Sequence, residues 1–466
     1  MPPRFCEPGL NVWRRIMANV RDYGARGDGK NDDTMAILHA VAKGDGQIVF
    51  PRGEYLITRP LLIPLATHGR IAIEGAGGLA RILMNGAGPA LHLVGTHSRT
   101  AHPPDILEPV WQKERMPTVR ALEIVGGHPQ ADGIRIEGAM QPTLQHLLIR
   151  RVRHGIHLAN RDRNVVISDC HIYNNTGIGV FFDRVNLHQT NIHGNHISYC
   201  KQGGIVIVGS EIRNLQICSN DIEYNYDLKA ETSADVLFDC RDGTVREGTI
   251  VGNTIQAVRS QGGANIRFLG AKDHPNAVGL FAISGNLLGS QCKVLDLHAC
   301  RGVVVSGNSI YSGYQHSIWA EDCEHLVLGN NTIDHNPEYR GSSTDQIVFR
   351  NCRNVNWTGG ILQHTRPATD PVTASMEIAG CQNVSISGLQ IVNARVRGIA
   401  IENSSLVRVA DCTIRGSADD KSYRAALTVA KNCSQMMVTN NFLGRGSDGD
   451  FMLPRELGQA VGNVMV

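Results

Sequence analysis

The stretch GNHISYC (194–200) returns down the chain as SNDIEYN (219–225), GNTIQAV (252–258) and GNSIYSG (307–313). A small residue, an asparagine, a variable residue and an isoleucine recur too regularly for an ordinary globular core, and such recurrence is the mark of a repeat architecture. Taking the apolar residue ahead of each motif as an anchor gives the column Leu144, Ile167, Ile192, Ile217, Ile250, Ile283, Val305, Leu328, Trp357, Ile386, Val409 and Val438. The anchors are spaced 22 to 33 residues apart, with the surplus always between recognisable strands. Each unit holds a strand at the anchor, a polar loop, and a second short strand such as GIHL (155–158), GIVI (204–207) or GIAI (398–401). Two or three short strands per turn of constant cross-section predict an all-β fold, a single-stranded right-handed parallel β-helix, with coils stacked about 4.8 Å apart. Period-2 alternation turns Ile and Val inward and the residues between them outward.

The asparagines then have a structural role. Asn195, Asn220, Asn253, Asn286, Asn308 and Asn331 share one turn position, with Cys170 and Cys412 in the same register. Stacked amides hydrogen-bond along such a column and satisfy buried turn backbone. Cys300, Cys323, Cys352, Cys381 and Cys433 each lie five residues before an anchor, with Ser404 filling the gap. That spacing offers neither a disulfide framework nor a C-x-x-C metal motif, so a row of buried thiols is expected, mostly free and in a reducing compartment.

The 466 residues suit one long solenoid, and 45 basic against 43 acidic residues leave a net charge of +2. Without a cationic excess, nucleic acid is not the expected partner. No apolar run of 18 residues predicts a membrane span. Residues 1–17 read as a tail or a misassigned start, and 18–466 as one domain, with a cap over about 18–60 and coils over about 61–455. No secretory signal is visible. The sequence reads as cytoplasmic, or as extracellular or phage-associated if the start is misassigned.

The segment NVRDYGARGDGKNDDTMAILHAVAKGDGQIVFPRGEYLIT (19–58) holds a predicted helix Thr34–Ala42 with Asp33 as N-cap, placed to cover the open end of the first coil. This segment resembles the N-terminal signature of the pectate-lyase-like superfamily, which includes polygalacturonase-like and rhamnogalacturonase-like enzymes, epimerases and phage tailspikes. The resemblance implies a β-helix and a polysaccharide or oligosaccharide ligand, and a homotrimer is one assembly it leaves open. The N-T-D, D-D and G-H-G set of polygalacturonases is not matched, nor are the D-P-H-D of mannuronan epimerases and the R-x-P-x-x-R of pectate lyases. VVISDCHIYNNTGIGVFFDR (165–184) is loosely similar to inulin fructotransferases, with Asp169 on a catalytic acid but Val180 where its partner carboxylate belongs.

The outward rows point to where chemistry would sit. One row reads Leu148, His171, His196, Asp221, Thr254, and its neighbour reads Arg150, Tyr173, Ser198, Glu223, Gln256. Asp221 and Glu223 share one strand face at roughly 6 to 7 Å by strand rise, within the 5 to 9.5 Å or so of glycosidase carboxylate pairs. They are the expected acid–base or nucleophile pair, with His196, Tyr173 and His171 as further catalytic candidates. Lyase or epimerase chemistry using His196, Tyr173 or Arg150 is the alternative, and a non-catalytic carbohydrate-binding tailspike or adhesin is the rival of a different class. Tyr199, Tyr224, Arg259, Tyr311, His335 and Arg340, with Arg150 and Gln256, are expected to bind sugar by stacking and by pairing with carboxylates. Asp334, His335 and Glu338 form a second, more distant candidate centre. No cofactor and no metal site is expected, Ca2+ entering only if the chemistry is that of a lyase.

Overall fold

The computed structural model describes residues 17–466 apart from 101, 228–232, 257, 336–337, 339–342, 364, 366–373 and 418–420. Arg340, Tyr339, His364 and Arg366 lie outside the described residues.

Short strands hydrogen-bond only to their counterparts one coil away, and every such pairing is parallel. The anchor column runs unbroken: Leu144 pairs with Ile167, Ile167 with Ile192, and so on through Val409 with Val438. It extends below the motif region to Ala18, Ile48, Ile73 and Val119, and above it to Ala460. The fold is the expected parallel β-helix.

Each coil carries three sheets. An anchor strand, for example Glu211–Cys218, is followed by a turn and a short strand of three residues, Asp221–Glu223. A loop then leads to the return strand, Ala234–Asp239, which closes the coil. The inward residues of all three sheets make one continuous apolar cluster from Ala18 to Leu457. Each fully buried Ile, Val or Leu contributes roughly 1.5–3 kcal/mol.

The motif that opens the turn has a conformational reason. Its first residue takes a left-handed backbone, as at Gly194 (φ 68°), Ser219 (φ 56°), Gly252 (φ 65°) and Gly307 (φ 64°), where glycine is least strained. The turn aims the next residue inward. Asn220 Nδ2 donates to the anchor carbonyl of Ile192 at 2.9 Å and to Asn253 Oδ1 at 3.0 Å, and its own Oδ1 accepts from Asn195 N at 3.0 Å. The same pattern runs from Asn195 to Asn331 and resumes at Asn441 and Asn463, which the motif search missed. Smaller side chains end a run: Cys170 N donates to Asn195 Oδ1, and Cys412 N to Asn441 Oδ1.

The cysteine column stacks as its spacing demands. Cys300 N donates to Cys323 Sγ at 3.5 Å, Cys352 N to Cys381 Sγ at 3.4 Å, and Cys381 N to Ser404 Oγ at 3.0 Å. The eleven described cysteines are all free thiols, ten of them buried.

The N-terminal helix spans Thr34–Lys43 and buries Ile37, Ala40 and Val41 against the first coil. Its cap differs in detail from the expectation. The Asp33 carboxylate accepts from the backbone of Arg26 and Gly27, tying down the preceding loop, whereas Asp32 Oδ1 accepts from Thr34 N. No helix among the described residues is long and apolar enough to cross a membrane.

Candidate functional site

The predicted outward rows belong to the short sheet beyond the turn, not to the anchor strand itself. Register stacks His171, His196, Asp221 and Thr254 in one row and Tyr173, Ser198, Glu223 and Gln256 in the next. Because each short strand has only three residues with an inward isoleucine between, both outward positions of every coil face the same surface.

Three side chains converge there. His196 Nε2 lies 3.8 Å from Asp221 Oδ2 and 3.5 Å from Glu223 Oε1, and donor atoms of all three fall within 4.8 Å of one another. Neither contact is a hydrogen bond. The His196 Nε2 and Asp221 Oδ1 atoms are covered yet without a partner, as is Ser198 Oγ beside them. Glu223 is 16% exposed and Asp221 49%. Burial, and then the neighbouring Glu223 charge, raise the Asp221 carboxyl above its ordinary range, while His196 acts in the opposite sense.

Glu223 is positioned by a relay. Gln256 Nε2 donates to Glu223 Oε2 at 2.8 Å, and Tyr311 Oη donates to Gln256 Oε1 at 2.7 Å. Tyr311 sits two coils above Gln256, and Gly289 occupies the coil between them. A Cβ at Gly289 would stand 2.6 Å from two Tyr311 ring carbons, so the missing side chain is what lets the ring reach across.

Aromatic residues flank the cluster. Tyr199 and Tyr224 stack at 5.2 Å between ring centroids, 6° from parallel. Both have a left-handed backbone, φ 55° and 56°, a conformation that costs a bulky residue roughly 1–2 kcal/mol. The next residue in each coil turns inward and anchors them: Cys200 N donates to Asn225 Oδ1, and Asn225 N to the fully buried Asp235. Burial, opposed by those hydrogen bonds, pushes the Asp235 carboxyl well above its usual range. Tyr173, His196, Ser198 and Tyr199 border a depression of about 400 Å³.

The other expected residues separate from this centre. The exposed His171 ring meets His196 edge-on at 5.9 Å. Arg150 is held by Glu123 (Nε to Oε1, 2.9 Å), which also binds Arg81, so it is taken up in an ion-pair chain below the site. The Arg259 guanidinium lies 5.6 Å over the Tyr314 ring. His335 Nδ1 is bonded to Ser343 Oγ at 2.9 Å, and Asp334 caps the backbone of His335.

A second polar cluster on the return sheet escaped the sequence reading. Asp296 is bound at once by Arg267 (2.6 Å), His298 (2.9 Å) and Lys293 (3.0 Å). Burial alone would raise its carboxyl, but the His298 hydrogen bond and the two cations hold it well below the usual range. Lys293 and Arg350 both lie over the Trp319 ring, at 4.7 and 4.8 Å. Its signal was present: the return-strand rows read Arg267, Asp296, Trp319 and Leu269, His298, Glu321, Arg350. A carboxylate so fully paired is a poor acid or base, whereas the unpaired groups around Asp221 are free to act.

The architecture defines the class, a right-handed parallel β-helix. Residues 17–206 match the family model described as rhamnogalacturonase A/epimerase, pectate lyase-like, and the chain is a pectate-lyase-like β-helix protein. The pre-mature gene product 12 of bacteriophage phi29 superposes with a TM-score of 0.58 at 14% identity, over 95% of this chain and 58% of that one. The A-module of mannuronan C-5 epimerase AlgE6 from Azotobacter vinelandii gives a TM-score of 0.43 at 16% identity, over 91% of this chain and 98% of that one. A non-secreted LysM effector of Penicillium expansum is 39% identical over 72 residues, 13% of this chain, and the match spans 6% of that relative's length.

Proposed function

We propose that the protein is a carbohydrate-active enzyme that cleaves or transfers a glycosidic linkage over the short sheet, with Asp221 as proton donor and Glu223 as the opposing carboxylate. The observation that carries this is the juxtaposition on one rigid strand of a half-exposed carboxyl and a carboxylate oriented by Gln256, their donor atoms within 4.8 Å. A separation this short suits direct attack by the second carboxylate, as in retention or transfer, better than the wider gap that admits a water molecule. Asp221 would protonate the departing oxygen and Glu223 would receive the anomeric carbon. The Tyr199–Tyr224 stack offers a flat apolar face to a sugar ring. The family description, which names a rhamnogalacturonase and an epimerase, supports a polysaccharide or oligosaccharide as substrate.

The same tyrosine stack favours a second reading, carbohydrate binding without turnover. A polysaccharide panel assayed for reducing ends and for absorbance at the wavelength of elimination products separates the two. Asp221→Asn and Glu223→Gln should each lower turnover at least a hundredfold with an unchanged melting temperature, while retaining polysaccharide binding. Full turnover in both variants rejects this centre.

A further inference from the structure

We infer that His196, Asp221 and Glu223 form a divalent-cation site. The inference uses the same three side chains as the catalytic reading but requires no turnover. One imidazole nitrogen and two carboxylate oxygens stand within 4.8 Å of one another, the spread expected of donors around a single ion. They come from two adjacent coils whose register is fixed by the Ile197–Ile222 pairing between them.

The hydrogen bonding points the same way. An imidazole between two carboxylates ordinarily closes on one of them, yet at 3.8 and 3.5 Å His196 Nε2 bonds to neither. That nitrogen and Asp221 Oδ1 are both shielded and unpartnered. An independent residue adds to this: Ser198, on the same strand face as His196 and in register with Glu223, is 1% exposed, and its Oγ has no partner. A buried hydroxyl left unpaired costs about 1–3 kcal/mol, and an ion with its water shell would satisfy it. Around the carboxylates, the Tyr311–Gln256–Glu223 relay is the kind of outer support that orients a ligating group.

The donor set selects among ions. A mixed nitrogen and oxygen set of three suits Mn2+ or Zn2+, whereas Ca2+ requires six to eight oxygens and seldom takes imidazole. A cation held by both carboxylates withdraws Asp221 as a proton donor, so ion binding and glycosidic cleavage exclude one another at this centre.

Binding of MnCl2 to the full chain, followed by calorimetry and by loss of the free Mn2+ paramagnetic resonance signal, tests this without substrate. The expected result is one saturable equivalent, weakened at least tenfold by His196→Ala and by the isosteric Asp221→Asn, with CaCl2 at least tenfold weaker. His146→Ala serves as control, because His146 faces Asp169 at 3.9 Å in an exposed pair of similar composition. Absence of a saturable equivalent, or unchanged affinity in His196→Ala and Asp221→Asn with their melting temperatures retained, overturns the inference. Loss of affinity in His146→Ala alone overturns it as well. Because no substrate is present, either result is independent of whether the protein cleaves a polysaccharide.

Discussion

Asn220→Ala probes the turn ladder on which the coil register depends. The substitution removes the acceptor of the buried Asn195 N–H and a donor to the Ile192 carbonyl. Asn195 Nδ2 keeps its bond to Ile167 O, and Asn253 Oδ1 keeps its bond from Asn220 N, so the damage is confined to one rung. An orphaned buried N–H costs about 1–3 kcal/mol and a lost neutral hydrogen bond about 1, giving a destabilisation of roughly 2–4 kcal/mol. In a solenoid each coil contacts only its neighbours, so the loss should be local before it is global. Native-state hydrogen exchange should show the Asn195 amide opening faster by a factor of at least thirty, with amides near Val409 unaffected. Urea unfolding followed by far-ultraviolet circular dichroism should show an earlier first transition. A change under about 0.5 kcal/mol, with the Asn195 amide as protected as before, would refute the ladder's role.

Two other outcomes follow from buried groups. Burial pushes the fully enclosed Asp162 carboxyl from its ordinary 3.8 to about 8. The native state therefore holds a proton that the unfolded state releases, and stability falls as pH rises between those values. Asp162→Asn should gain on the parent by up to about 4 kcal/mol between pH 5 and pH 8 in urea midpoints, and an unchanged difference would contradict a protonated Asp162. For the thiols, burial pushes Cys170 and Cys200 each up to about 12. Iodoacetamide should accordingly leave the buried thiols unlabelled in the native protein and label them all after denaturation, as read by mass spectrometry. Three or more disulfide pairs in the protein as isolated would contradict the packing of this column.

The anchor register was legible because one residue type recurs at one place in every coil. Once Asn195 and Asn220 are aligned, every neighbouring position is aligned with them. The row holding His196, Asp221 and Glu223 followed from simple alternation. The return-sheet cluster was not legible by the same route: its strands follow loops of unequal length, so Asp296 and Trp319 stand at different offsets from their anchors, Leu288 aside. Contacts that skip a coil were also hidden. Tyr311 reaches Gln256 only because Gly289 has no side chain, a relation visible in coordinates and not in spacing. Arg150 carried the right charge in the right row, but its partner, Glu123, lies in an earlier coil than the sequence rows had included.

The distribution of strain argues for function at the short sheet. Elsewhere the left-handed turn positions are held mostly by glycine, asparagine, aspartate or serine, residues that bear that conformation readily. At Tyr199 and Tyr224 two large rings occupy it in consecutive coils, and neither ring is needed by the core, which is closed beneath them by Cys200 and Asn225. A structural turn would be more stable with asparagine there, as at Asn174 one coil below. The same two coils hold the unpartnered His196, Ser198 and Asp221 atoms. Strained backbone and unmet hydrogen-bonding groups both lower stability, and their coincidence on one surface, over an otherwise satisfied scaffold, is what a site built to meet a ligand requires.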